Sequence, residues 1–536
     1  MEMRFDYVIV GAGSAGCVLA NRLTASGRYT VAVIEAGGWD RDPLIHIPMT
    51  WGHNVAKRRH DWLLNAEPLA SLDGRTLEVA RGKVIGGSSS TNAMAYVRGH
   101  PSDYDDWIAA GCKGWSYADV LPYFKRAERW QGGEDAFRGG DGPLGVRETR
   151  FPDPLLQTII EAGAGCGYPR TEDYNGAQQE GFGWAQHTVQ SGRRCSAATA
   201  YLRPALKRKN LTVLTRTQVR RVLLDNGRAV GVEGQSGRRR LRVMANKEVI
   251  IAAGAIHAPH LLMNSGIGEA SQLQAAGIDC RINLPGVGKN LLEHATVGVD
   301  RRRHGAGPMV AAMRLDRLIR NLAASYLFGR GLAARLPNGT MAFVRTDAAQ
   351  PRPDVQIMFR AFPITARPYL PPFSQAYADG FGGRPMLLRP TSTGTVALDA
   401  CDPAAAPRID LNLLASEQDR VTLRNGVKIT RAVFAHATLD RFRGVETSPG
   451  PDVVSDDEID GYIQQHAATM FHPAGTCKMG SDKDAVVTSN LQLKGMANLR
   501  VVDASVMPAL IGGNINAAVI MIAEKAADLI LERANA

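Results

Sequence analysis

The stretch Phe5-Asp6-Tyr7-Val8-Ile9-Val10-Gly11-Ala12-Gly13-Ser14-Ala15-Gly16 decides how the chain is read. A short apolar run, Tyr7 to Val10, meets glycines at 11, 13 and 16. A helix-like stretch follows from Cys17 to Leu23, and a second apolar run from Val31 to Ile34 ends on Glu35. Strand, glycine loop, helix, strand and acid in this order describe a dinucleotide-binding unit. Gly11 permits the tight turn, Gly13 lets backbone approach a pyrophosphate, and Gly16 lets helix and strand pack closely. The helix N-terminus offers free N–H groups and a positive dipole end to the phosphates. Glu35 lies 24 residues past Gly11, where an acid accepts hydrogen bonds from an adenosine ribose. An acid there repels a 2′-phosphate, which favours FAD or NAD over NADP.

Outward from this unit, the 536 residues exceed one simple core and imply at least two domains. The net charge is +11, with basic runs at Arg238–Arg240 and Arg301–Arg303. These read as solvated hairpin and loop tips. Peripheral contact with an anionic membrane surface is the sharper alternative. No basic stripe interleaved with aromatics speaks for nucleic acid. Seven cysteines, including Cys401, are scattered without a Cys-x-x-Cys pair, which predicts reduced thiols, no disulfide frame and no metal site. The first strand starts almost at Met1, leaving no room for a signal peptide, and no apolar run reaches spanning length. The expectation is a cytoplasmic protein without a transmembrane segment.

Strand signals return at Leu211–Leu214 and Val219–Asp225, with a turn at Asp225-Asn226-Gly227 answered by Ala229–Glu233 as a hairpin. Glu248 to Gly254 reads as a buried strand of the nucleotide-binding sheet. From 296 to 460 the pattern changes, with strands at Val355–Phe359, Met386–Leu388 and Gly394–Leu398 and a core-facing or cap helix over Leu315–Leu327. A strand at Leu499–Val502 and a helical run from Ala517 to Arg533 complete the first domain.

Two further stretches are Gly82-Lys83-Val84-Ile85-Gly86-Gly87-Ser88-Ser89-Ser90-Thr91-Asn92 and Gly254-Ala255-Ile256-His257-Ala258-Pro259, which runs on to Gly268. In this order behind the glycine loop, they resemble the two signatures of the glucose–methanol–choline oxidoreductases. Those enzymes bind FAD and oxidise alcohols. Asp103-Tyr104-Asp105-Asp106-Trp107, Pro285 to Leu291 and the tail 503–528 match as well, so the resemblance covers nearly the whole chain. It implies an α/β fold. A Rossmann-like FAD-binding domain would be built from residues 1–155, 191–295 and 461–536. A discontinuous substrate-binding domain on an antiparallel sheet would take 156–190 and 296–460.

The resemblance also implies the site. Phe471-His472-Pro473 matches the loop of the catalytic histidine, and Gly513-Asn514-Ile515-Asn516-Ala517 the loop of its partner, assigned to Asn516. His472 would take the hydroxyl proton. Asn516 would hold the substrate oxygen while hydride leaves for flavin N5. For FAD the expected contacts are Gly11, Gly13, Ser14, Ala15, Gly16, Glu35, Ala36, Val84, Gly87, Asn92, Met94, Ala95, Val219, Asp503, Ala504, Asn516 and Ala517. The helix starting near Asn516 would aim its positive end at the flavin's pyrimidine edge. Thr91 stands where some members carry a histidine linked to flavin, so FAD is expected to be non-covalent.

The resulting expectation is oxidation of a primary alcohol to an aldehyde, with electrons passed to a quinone or another non-oxygen carrier. Alternatives are an oxidase that reduces O2 to H2O2 and a non-redox hydroxynitrile lyase. A light-driven decarboxylase is more remote. His257 and His260, three residues apart, lack a carboxylate or thiolate partner and read as structural. Ser88–Ser90 lacks a nucleophile elbow, and Asp103–Asp106 reads as the first turn of a helix.

Overall fold

A computed structural model describes residues 2–400, 402 and 405–535, so Met1 and Cys401 lie outside the described residues. The first sheet has seven strands. Val31–Ile34 lies between Leu211–Leu214 and Glu2–Val10, both parallel to it. Glu2–Val10 continues in parallel to the long strand Arg239–Ile251, whose end pairs in parallel with Leu499–Val501. Val31–Ile34 is buried on both faces, as a central parallel strand covered by helices should be. The hairpin expected around residue 226 forms between Gln218–Asp225 and Arg228–Ser236, with Asn226 at φ 45° and Gly227 at φ 74°. Two positive φ values match the tight turns that follow strand twist.

Two helices close one face of this sheet near the glycine loop. Ser14–Thr24 is tied to the C-terminal helix Asn516–Asn535 through Glu524, a fully buried carboxylate. Arg22 donates to Glu524 at 2.7 Å, Arg126 at 2.9 Å and the Tyr201 hydroxyl at 2.8 Å. A buried charge is tolerated only with such partners.

The second sheet has eight strands and is antiparallel. Its main path runs Arg443–Ser448, Val299–Arg303, Gly380–Leu387, Val355–Arg360, Thr340–Val344, Gly181–Trp184. Val355, Ile357 and Phe359 point to one face and Gln356, Met358 and Arg360 to the other, as a pleat requires. Helix Glu417–Ala435 covers the first face closely: a Cβ on Gly383 would lie 2.6 Å from Thr430 Cγ2. The other face looks into a large cavity.

Some expectations change in the folded chain. Arg301–Arg303 is part of a strand rather than a loop tip, and Arg303 is buried against Asp153 at 2.6 Å. Ala468–Thr469, expected with the nucleotide-binding part, pairs with Ala295–Thr296 in the second sheet. The helix Leu315–Phe328 forms and turns Leu318 and Leu322 to the cavity, but it leaves Ile319, Leu327 and Phe328 exposed. Among the described residues no helix is long and apolar enough to cross a membrane, and no cluster of metal-ligating side chains occurs.

Candidate active site

Between the sheets lies a cavity of about 1170 Å³. One half is made by backbone. Gly11 sits at φ 100°, and a Cβ there would meet the Ala252 carbonyl oxygen at 2.4 Å. Gly87 sits at φ 53°, and a Cβ there would lie 2.7 Å from Gly13 Cα. The glycine loop and the Gly82–Asn92 signature therefore touch backbone to backbone. The Glu35 carboxylate accepts from Ala12 N at 2.9 Å and from Gly37 N at 2.8 Å, and burial raises its pKa. The Asp503 carboxylate accepts from Gly254 N and Ser505 N, both at 2.8 Å.

Of the residues assigned to FAD, Gly11, Gly13, Ser14, Ala15, Glu35, Ala36, Gly87, Asn92, Met94, Ala95, Val219, Asp503, Ala504 and Asn516 line this cavity. Gly16, Val84 and Ala517 do not reach its wall. Gly16 serves packing alone, since a Cβ there would lie 1.9 Å from the Gly11 carbonyl oxygen. Val84 is buried in a bridge to Gly38, and Ala517 is buried inside the first turn of its helix. His257 and His260, read as structural, also line the cavity, and His257 stacks on Trp62 with ring centres 4.1 Å apart. Two helix N-termini, a side-chain-free cradle and a ribose-reaching acid together fit FAD.

His472 stands in the cavity wall on a strained loop. Phe471 before it holds φ 60°, a left-handed value that costs a bulky side chain energy. Two contacts hold the loop there. The Arg81 guanidinium donates to the Phe471 carbonyl. The Glu293 carboxylate accepts from His472 N at 2.8 and 3.0 Å. Burial pushes Glu293 up to about 7.

The imidazole of His472 is fixed at both nitrogens. Its Nδ1 lies 2.9 Å from Nδ1 of His294, and its Nε2 lies 3.2 Å from Asn514 Nδ2. The far nitrogen of His294, Nε2, lies 3.0 Å from the Leu388 carbonyl, which only accepts. The network therefore assigns the protons. His294 carries its hydrogen on Nε2 and leaves Nδ1 as an acceptor. His472 donates from Nδ1, so its Nε2 bears the lone pair. Gln356 Nε2 donates to Asn514 Oδ1 at 3.2 Å, which turns the Asn514 amide N–H toward that lone pair. Burial, then the neighbouring His294 and Arg81, keep His472 well below the ordinary histidine pKa. Burial pushes His294 down to about 4. Both rings are neutral near pH 7.

The expected pairing of His472 with Asn516 is corrected by this geometry. Asn516 Oδ1 accepts from Ser14 Oγ at 2.7 Å and joins the two helix N-termini, while Asn514 faces the imidazole. The two asparagines lie in one extended turn, two residues apart, and the fold selects the one on the cavity side of Gln356. Sequence reasoning also passed over His294, Glu293 and Gln356. The only local signal was Glu293-His294, which stands one residue beyond the Pro285–Leu291 match.

Comparison with known proteins agrees with this architecture. The family described as GMC oxidoreductase matches over residues 5–296 through its N-terminal model and 390–523 through its C-terminal model. A protein of Photobacterium profundum named oxygen-dependent choline dehydrogenase is 43% identical over 99% of this chain and 94% of its own length. One of the same name from Brucella suis is 43% identical over 99% and 96%. Among solved structures, pyridoxine 4-oxidase from Mesorbium loti is 35% identical with a TM-score of 0.86, covering 97% of this chain and 98% of that one. A fungal aryl-alcohol oxidase is 25% identical with a TM-score of 0.85, covering 99% of each.

Proposed function

We propose that this chain, which belongs to the GMC oxidoreductase family and is an FAD-dependent alcohol oxidoreductase, oxidises a primary alcohol to an aldehyde with His472 as the base. The observation that carries the reading is the lone pair on His472 Nε2, facing the amide of Asn514 where both residues line the cavity. A substrate hydroxyl entering between the two side chains replaces their direct bond, donating to Nε2 and accepting from Asn514 Nδ2. His472 takes the hydroxyl proton, and Asn514 stabilises the oxygen as charge develops on it. His294 holds the tautomer and shares the Nδ1 hydrogen of the imidazolium that forms. FAD, when bound, supplies the hydride acceptor.

Gly11, Gly13, Ser14, Glu35, Gly87 and Asp503 would hold FAD, and Asn516 would brace the helix start beneath it. Thr91 lines the cavity and lacks the imidazole through which some family members link flavin. All FAD should therefore be released into the supernatant when the protein is denatured. Electrons would pass to a quinone or another carrier. The names of the relatives, oxygen-dependent choline dehydrogenase and pyridoxine 4-oxidase, favour a second reading in which O2 is the acceptor. Peroxide formed as fast as a dye is reduced selects that reading.

The base is tested by His472→Ala. This variant should keep its flavin but lose about 10²- to 10⁴-fold in anaerobic flavin reduction by alcohol. Reduction at the wild-type rate would remove His472 from the mechanism.

A further inference from the structure

The second sheet gives the substrate half of the cavity a charge. On its inner face Gln356 pairs with Met386, Met358 with Arg384, and Arg360 with Gly382. Gln356 touches Asn514 beside the base. Arg384 and Arg360 follow outward along the same face, and both line the cavity. One carboxylate, Asp300, serves the two guanidinium groups, and it accepts its hydrogen bond from Arg360. Arg384 makes no hydrogen bond or ion pair among the described residues. Burial and the neighbouring Arg360 depress its pKa to about 10, while Asp300 and Tyr462 raise it. It remains a cation at neutral pH. Among the described residues the only acids lining the cavity wall are Glu35 and Asp503, both in the nucleotide half. At this end of the cavity two guanidinium groups, Arg360 and Arg384, share the single carboxylate of Asp300, so the group carries one net positive charge.

We propose that the alcohol oxidised here bears an anionic group, a carboxylate or a phosphate monoester, which Arg384 binds at the far end of the pocket from His472. This rests on the reading of the cavity as an alcohol site. A guanidinium in a partly dry wall without a fixed partner is complete only when a ligand brings the counter-ion. A quaternary ammonium alcohol, the class named in the choline-specific relatives, would face an unpaired cation instead. Two residues along a strand separate Gln356 from the level of Arg384, so hydroxyl and anion should stand about 7 Å or more apart. Leu318, Leu322, Met358 and Phe362 line the cavity and supply apolar wall for the body of the ligand. The fitting class is an ω-hydroxy acid or hydroxyalkyl phosphate of about six to ten carbons.

The test uses the oxidised holoenzyme and ligands that cannot be oxidised. Straight-chain alkanoates of four to twelve carbons, alkyl phosphates and the matching primary amides are titrated against the flavin absorbance. In the wild type the anion should bind about 10- to 100-fold more tightly than the amide of equal length. The preferred arm, alkanoate or alkyl phosphate, identifies the anion. Arg384→Met should bring the ratio to within about twofold, and Arg384→Lys should restore part of it. Equal binding of anion and amide by the wild type overturns the proposal without any variant, as does an unchanged ratio in a flavin-loaded Arg384→Met. Binding does not depend on turnover. If alkanoates bind through Arg384 while no alcohol bleaches the flavin, the proposed oxidation falls and the anion site stands. With turnover, kcat/KM should favour an ω-hydroxyalkanoate over the n-alkanol of equal length by the same factor, and choline should be the poorest substrate.

Discussion

Between Gly13 and Gly87 the cavity is closed by two backbones whose glycine Cα atoms nearly touch, whereas between Gln356 and Arg384 it is faced by side chains standing off a pleated sheet. At Gly11, Gly16 and Gly87 the first half admits glycine alone, because a Cβ there would collide with main chain. The second half can be rewritten one side chain at a time without moving backbone. The cofactor is thus fixed by shape and the substrate by composition. A chain can keep FAD and alcohol oxidation in common with relatives while its substrate pocket diverges.

Three experiments test this contrast. The largest effect is expected at the backbone contact. Gly87→Val places a branched side chain at φ 53° against Gly13, where no flexible neighbour can yield. Purified protein should hold less than about a tenth of its flavin, read as the ratio of flavin to protein absorbance. The contrast fails if Gly87→Val keeps a full complement, or if Arg384→Met loses it.

A smaller effect separates the two asparagines. Asn514→Ala removes the donor beside the base and should slow flavin reduction about 10²-fold, the scale of one oxyanion donor. Asn516→Ala removes only the bond from Ser14, worth about 1 kcal/mol of FAD affinity. Its reduction rate should stay within about threefold of wild type. Stopped-flow mixing and flavin titration of both variants decide the matter. Equal losses in the reduction step would return Asn516 to the active pair.

The smallest effect concerns pH. His294 titrates at about 4 in the fold and near the ordinary 6.5 when unfolded. The unfolded chain then binds more protons between these values, so stability from this group is complete above 6.5 and lost as pH falls toward 4. The loss between pH 7.5 and 5 should be about 2 kcal/mol. His294→Gln should remove that share of the slope in denaturant melts at the two pH values. His472, held well below the ordinary histidine range by burial, should show no titration of flavin reduction near 6.5. An unaltered slope in the variant, or a rate limb near 6.5, would place the pair in a wetter setting than the one seen here.

The cofactor half was legible in the sequence because its demands are local. A turn at Gly11, a close approach at Gly16 and an acid at the end of a short strand each leave a mark within a few residues. The substrate half was not legible, because its contacts are set by register between distant strands. Nothing near residue 384 says that Arg384 opposes Met358. Nothing near residue 472 says that His294, 178 residues away, holds its imidazole. Asn514 was within reach, since its loop was found, but alternation along an extended turn has no sign in composition. The basic run Arg301–Arg303 misled for a related reason: charges on a strand look like a solvated tip until Asp153 and Glu446 are brought beside them.

One feature of the first sheet bears on how the enzyme is made. Strand Leu499–Val501 slots beside Arg239–Ile251, and the helix that follows supplies Asn516 against Ser14. Segments 502 residues apart thus shape one nest for the flavin, and a nascent chain still lacking residues 499–516 has no complete place to capture it. Synthesis must therefore pass this segment before the yellow colour appears, and chains stalled ahead of residue 499 should emerge colourless even when FAD is abundant.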